Sequence, residues 1–146
     1  MKQVRITVIL LLITVFSFTV FSQNPVASNA IYIANLLIDD VSTDRMAQTC
    51  RFHKLTESDQ EDGFTVFTDS KGNKLRFKRT DNPDEGVNGK LIEVITADKP
   101  KAVAKILKEI GYIKIDNGYE RGSRQTNSLI RVTLSSNLLR FKKIQK

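Results

Sequence analysis

Apolar and polar positions follow three different rhythms along this chain. Ile6–Phe21 runs without a charge, behind Lys2 and Arg5. From Ala30 the apolar residues Ala30, Ile31, Ile33, Ala34, Leu37, Ile38 and Val41 recur at three- and four-residue spacing. That spacing predicts a helix with one buried face, N-capped by Ser28. The β-branched content of Ala30–Val41 keeps a strand open as a second reading. Ser42-Thr43-Asp44 restarts the pattern as a second cap, and Met46, Ala47 and Cys50 share a helical face with His53 three residues on. The polar run Thr56–Gly63 reads as a loop.

Beyond Gly63 the rhythm changes to period two. Phe64–Thr68 is aromatic and β-branched, Asp69–Asn73 is turn chemistry, and Lys74–Lys78 alternates, so the segment predicts a β-hairpin. Thr80–Gly89, rich in Asp, Asn, Gly and Pro, predicts an exposed connector. Leu91–Thr96 reads as a strand. Asp98 and Pro100 open a helix whose stripe is Ala102, Val103, Ile106, Leu107 and Ile110, stopped by Gly111. Tyr112–Ile115 and Tyr119–Arg121 are strands around Asn117-Gly118. Gly122–Ser128 is a loop. Leu129–Leu134 and Leu138–Ile144 close the chain as a hairpin.

The sum is an α+β fold: an antiparallel sheet of about five to seven strands, with two or three helices on one face. A faint echo recurs at a 54-residue offset, pairing Ser42-x-Asp44 with Thr96-x-Asp98 and Leu75 with Leu129. Two diverged helix-plus-hairpin repeats and chance similarity both account for it.

The first rhythm sets the expected address. A basic start, a short apolar run diluted by Thr7, Thr14, Ser17 and Thr19, and small Ser22 predict a secretory signal, residues 1–22, cut between Ser22 and Gln23. The run is shorter than the roughly 20 apolar residues of a membrane-spanning helix, although an uncleaved anchor is the competing reading. No Arg-Arg pair and no cysteine beside the cut are present, so the expectation is an exported protein, periplasmic or secreted, with no membrane span after cleavage. Residues 23–146 are then one globular domain.

Composition adds charge and subtracts chemistry. The formal net charge of the chain is +7, with one Cys and one His. Residues 71–146 hold 18 bases against eight acids, whereas residues 23–70 hold three against eight. A single Cys excludes an intrachain disulfide. Cys50 and His53 are spaced to meet on a helix as a nucleophile and its base, but Met46 and Ala47 beside Cys50 favour packing for both. Two Cys/His residues are too few for a structural zinc site, and Asp59-Gln60-Glu61-Asp62 lacks the spacing of a calcium loop. Asp39, Asp40, Glu93 and Glu120 offer carboxylate pairs without specificity. No Gly-rich phosphate or dinucleotide loop is present, and neither cofactor nor metal is expected.

One constellation has shape. Arg76 and Lys78 alternate with Leu75 and Phe77, Arg140 and Lys142 alternate with Leu139 and Phe141, and Arg131 joins them. In one sheet these five cations form a stripe on the open face, able to hold phosphate, sulfate or carboxylate. The plain alternative is a wet sheet face kept soluble by charge. Stacking aromatics do not interleave the cations, and export removes the chain from nucleic acid, so nucleic acid is not an expected partner. The expectation is a non-enzymatic binding module engaging an envelope or extracellular protein or an anionic polymer. The alternatives are a small exported hydrolase using Cys50 and His53 or a carboxylate pair, and a structural or assembly component.

Overall fold

A helix buried on nearly every side begins the fold. The structure, a computed structural model, describes residues 29–38, 42–123 and 127–144. Helix α1 (Ala30–Leu37) buries Ala30, Ile31, Ile33, Ala34, Asn35 and Leu37, so the helical reading of this stretch holds over the strand. Its cap is Asn29, whose Oδ1 accepts from the Ile31 amide at 2.9 Å. Ser28, Asp39, Asp40 and Val41 lie outside the described residues, as do the signal segment and its cleavage site. Helix α2 (Thr43–Phe52) is capped as expected, Ser42 Oγ accepting from the Arg45 amide at 3.2 Å, and turns Met46, Ala47 and Cys50 inward. Helix α3 (Pro100–Ile110) starts on Pro100 and stops on Gly111 at φ 104°. Lys99, not Asp98, is its N-cap, and no side chain bonds there.

Eight strands form one antiparallel sheet: β1 (Thr56–Glu61), β2 (Phe64–Thr68), β3 (Lys74–Arg79), β4 (Lys90–Ile95), β5 (Ile113–Ile115), β6 (Gly118–Gly122), β7 (Leu129–Ser135) and β8 (Leu138–Ile144). Their order is β1-β2-β3-β4-β8-β7-β6-β5. The α+β architecture with helices on one face stands. The strand count exceeds the expected five to seven because Thr56–Glu61 is a strand rather than a loop. It is an edge strand, exposed along nearly its whole length, and a strand wet on both faces leaves no alternation to read.

One face of the sheet supplies the core. Phe67, Leu75, Phe77, Ile92, Val94, Ile130, Val132, Leu139 and Phe141 pack beneath α1, α2 and α3 in one continuous cluster with Ile31, Ile33, Leu37, Met46, Cys50 and Leu107. A second cluster of Phe64, Val66 and Leu91 lies apart from it. Burying a side chain of the Leu or Phe class contributes roughly 1.5–3 kcal/mol, so these rows dominate stability. A buried polar knot ties the helices to the sheet. Asp69 Oδ2 accepts from the Ala30 amide at 2.9 Å and from Asn73 Nδ2 at 2.8 Å, while Asn73 Oδ1 accepts from the Ala97 amide at 2.7 Å.

The chain runs helix then four-stranded meander twice, α2-β1-β2-β3-β4 and α3-β5-β6-β7-β8, and the two last strands pair. Met46, Cys50 and Leu55 of the first unit are buried like Val103, Leu107 and Tyr112 of the second. Both helices end on a left-handed residue, Lys54 (φ 61°) and Gly111 (φ 104°), followed by matching bonds, Leu55 N to Cys50 O and Tyr112 N to Leu107 O. The echo of Leu75 with Leu129 is one residue out: the buried counterpart of Leu75 is Ile130.

Candidate functional site

The pleat sends Arg76, Lys78, Arg131, Arg140 and Lys142 to the face opposite the helices, as their alternation with buried neighbours requires. The two hairpins lie in one sheet, joined through β4. The five cations nevertheless fall into two groups. Arg76 and Lys78 stand over the Phe64 ring, 4.5 Å and 4.3 Å from its centroid. This cation–π contact covers the small apolar cluster of Phe64, Val66 and Leu91 on this face. Arg131, Arg140 and Lys142 line a groove of about 1000 Å³ at the other end.

Glu93 links the groups. Its side chain is 1% exposed. Strand pairing sets it between Arg76 on β3 and Arg140 on β8. Arg76 donates through Nε at 2.8 Å and a terminal nitrogen at 2.7 Å to Oε2, and Arg140 at 2.7 Å and 2.6 Å to Oε1. A planar guanidinium held by two donors on one carboxylate oxygen has a fixed orientation. Arg131 is fixed in the same way by Glu120, its cross-strand neighbour on β6, with Nε donating at 2.7 Å. Glu93 and Glu120 thus serve as guanidinium anchors.

Lys142 differs from its neighbours. It stands directly opposite Arg131 in the β7–β8 register and two residues from Arg140 along β8, and it forms no ion pair with a described residue. Like charges directly opposite each other across a strand pair repel. In the first unit Arg76 faces Glu93 at the corresponding place. The second unit puts Lys142 there, and no described acid pairs with its positive charge.

The expected connector forms the far wall. Val87 and Lys90 bridge around Asn88 and Gly89, both at positive φ. The loop is fastened to β8 by Lys143 Nζ, which donates to Asn88 Oδ1 at 3.2 Å. Thr133, Asn82 and Asp84 complete the groove. The alternation exposes the cations in the sequence, whereas the loop wall and the two glutamate anchors depend on pairings far apart in the chain. The Asn-Pro-Asp cluster at 82–84 signals a turn there, and no more.

Cys50 is a fully buried core residue, and His53 stands at the C-terminus of α2 with its ring edge-on to Phe52. A thiol enclosed by the core offers substrate no approach. Glu61, from the acidic run, pairs with Lys74 at 3.1 Å. No group of three or more metal-ligating side chains occurs among the described residues, and no described helix is long and apolar enough to cross a membrane. Comparison with known proteins finds no matching family model, curated protein or solved structure.

Proposed function

We propose that the protein is an exported, non-enzymatic binding module that holds an anionic polymer of the envelope or extracellular space in the basic groove. The observation that carries this reading is the placement of Lys142 opposite Arg131 and beside Arg140, with the two arginines already oriented by buried or half-buried glutamates. An anionic group bound there relieves the repulsion between Lys142 and Arg131 and gains charge-assisted hydrogen bonds. A groove of about 1000 Å³ has room for several units of a chain carrying repeated sulfate, phosphate or carboxylate groups. Such binding weakens with salt, because exposed charges beyond about 10 Å are screened at 0.1 M ionic strength.

The test is retention of the protein on an immobilised sulfated or uronic-acid polysaccharide, eluted by salt. Lys142→Glu with Arg140→Gln is expected to elute at much lower salt than the wild type. Lys101→Glu with Lys105→Glu reverses two charges on α3, on the opposite side of the sheet, and is expected to elute near the wild type. Equal early elution of both pairs reduces the binding to net charge and removes the groove from the account.

A further inference from the structure

The two helix-plus-meander units differ at the seam between each helix and its edge strand. Counted from the left-handed residue that ends each helix, the residue three positions before is Arg51 in the first unit and Lys108 in the second. The residue three positions after is Glu57 in the first and Lys114 in the second. In the first unit these positions close on each other: Arg51 donates to Glu57 at 2.7 Å and 3.1 Å. In the second, two lysines replace the ion pair. A pocket of about 570 Å³ lies between α3 and the β5–β6 edge, lined by Ala104, Lys108, Tyr112, Ile113, Lys114 and Tyr119.

Its chemistry is uniform. Ala104 and the two tyrosine rings supply apolar surface, while Ile113, 72% exposed, stands at the rim, with Glu120 and Arg131 on the other face of the sheet. The charged groups of the lining are cations. Tyr112 is 3% exposed and is held from below, its hydroxyl donating to Asn35 Oδ1 at 3.1 Å and its ring facing the Arg121 guanidinium at 5.3 Å. The wall is therefore positioned before any ligand arrives. The Leu107 and Lys108 carbonyls of α3 are taken by the Tyr112 and Gly111 amides. The volume falls in the range of small-ligand sites, about 300–1000 Å³.

We infer that this pocket binds a small amphipathic carboxylate, whose apolar body lies against Ala104, Tyr112 and Tyr119 and whose carboxylate takes, between Lys108 and Lys114, the place that Glu57 takes beside Arg51 in the first unit. The inference is independent of the polymer groove, which lies on the other side of the sheet.

Titration with decanoate, followed by ¹H–¹⁵N NMR and calorimetry, tests it. Saturable one-to-one binding is expected, with shifts concentrated at Gly111–Lys114 and Tyr119. Lys108→Glu with Lys114→Glu, both exposed, is expected to weaken binding at least tenfold, while Lys142→Glu leaves it unchanged. Decanol, which has the body without the charge, is expected to bind at least tenfold more weakly than decanoate. Failure to saturate, equal affinity for decanol, or unchanged binding in the lysine variant overturns the inference. So does a concentration-dependent shift of Gly111–Lys114 without decanoate, which places a second copy of the chain on the pocket.

Discussion

Glu93 concentrates the electrostatics of the open face in one side chain. Its carboxylate has left water almost completely, and four N–H donors from Arg76 and Arg140 replace the hydration. The pairing is favourable only as a complete set, because desolvation offsets most of the Coulombic gain. Removing the carboxylate alone leaves two guanidinium groups facing each other across β4. Glu93→Ala is therefore expected to lower stability by about 3 kcal/mol, read as a fall in the urea midpoint at constant slope. The triple variant Arg76→Met, Glu93→Leu, Arg140→Met is expected to recover most of that loss, because a buried triad replaced by apolar side chains of similar volume is often neutral. A triple variant no more stable than Glu93→Ala contradicts this account. The cations of this face were legible from alternation with Leu75, Phe77, Leu139 and Phe141. The role of Glu93 was not, because it depends on β4 lying next to β8, strands 43 or more residues apart in sequence.

Elements announced themselves where an apolar stripe or a turn residue marked them. The stripe around Leu107 and the stop at Gly111 fix α3, and the period-two run from Lys74 fixes β3. β1, without such a mark, was invisible because it has no buried face. Asn73 closes the expected turn, its carbonyl accepting from the Asp69 amide at 3.0 Å, but the sequence does not show that it is also fully buried at the centre of a polar knot. Glycine positions separate these two kinds of information. Gly111 sits at φ 104° with nothing within 4 Å of the point where a Cβ would stand, so only backbone strain opposes a side chain. Gly118 sits at φ 145°, and a Cβ there would lie 2.2 Å from the Val132 carbonyl oxygen on the neighbouring strand. Gly111→Ala is expected to cost about 1 kcal/mol. Gly118→Ala must also push β6 from β7, and is expected to cost about 3 kcal/mol or more, the strain and the steric displacement together. Thermal or urea unfolding of the two variants side by side checks the order. A Gly118→Ala protein as stable as Gly111→Ala would show that the β6–β7 pairing yields more easily than its geometry implies.

At the scale of the whole molecule, the repeat explains why one core serves both halves. Phe77 faces Ile92 in the first unit as Val132 faces Phe141 in the second, and Ile92 and Phe141 then face each other across the β4–β8 seam. Equivalent residues thus meet at the centre of an eight-stranded sheet. The weak sequence echo could not reveal this, because the spacing between equivalents drifts: Cys50 matches Leu107, whereas Leu75 matches Ile130. Helix α1 has no counterpart among the described residues and fastens the halves together. Its N-terminal amide bonds to Asp69 of the first, and its Asn35 accepts from Tyr112 and Arg121 of the second. A chain joined at a shared strand pair and spanned by one buried helix should unfold as a unit. Phe141→Ala opens a cavity at the seam and is expected to cost about 3–5 kcal/mol. Native-state hydrogen exchange then decides between one unit and two. If the halves are coupled, the protection of core amides in β2 and β3 falls by the same free energy as that in β6 and β7. Protection lost only in β6 and β7, with β2 and β3 unchanged, would mean that the first half stands alone and the seam is a domain boundary.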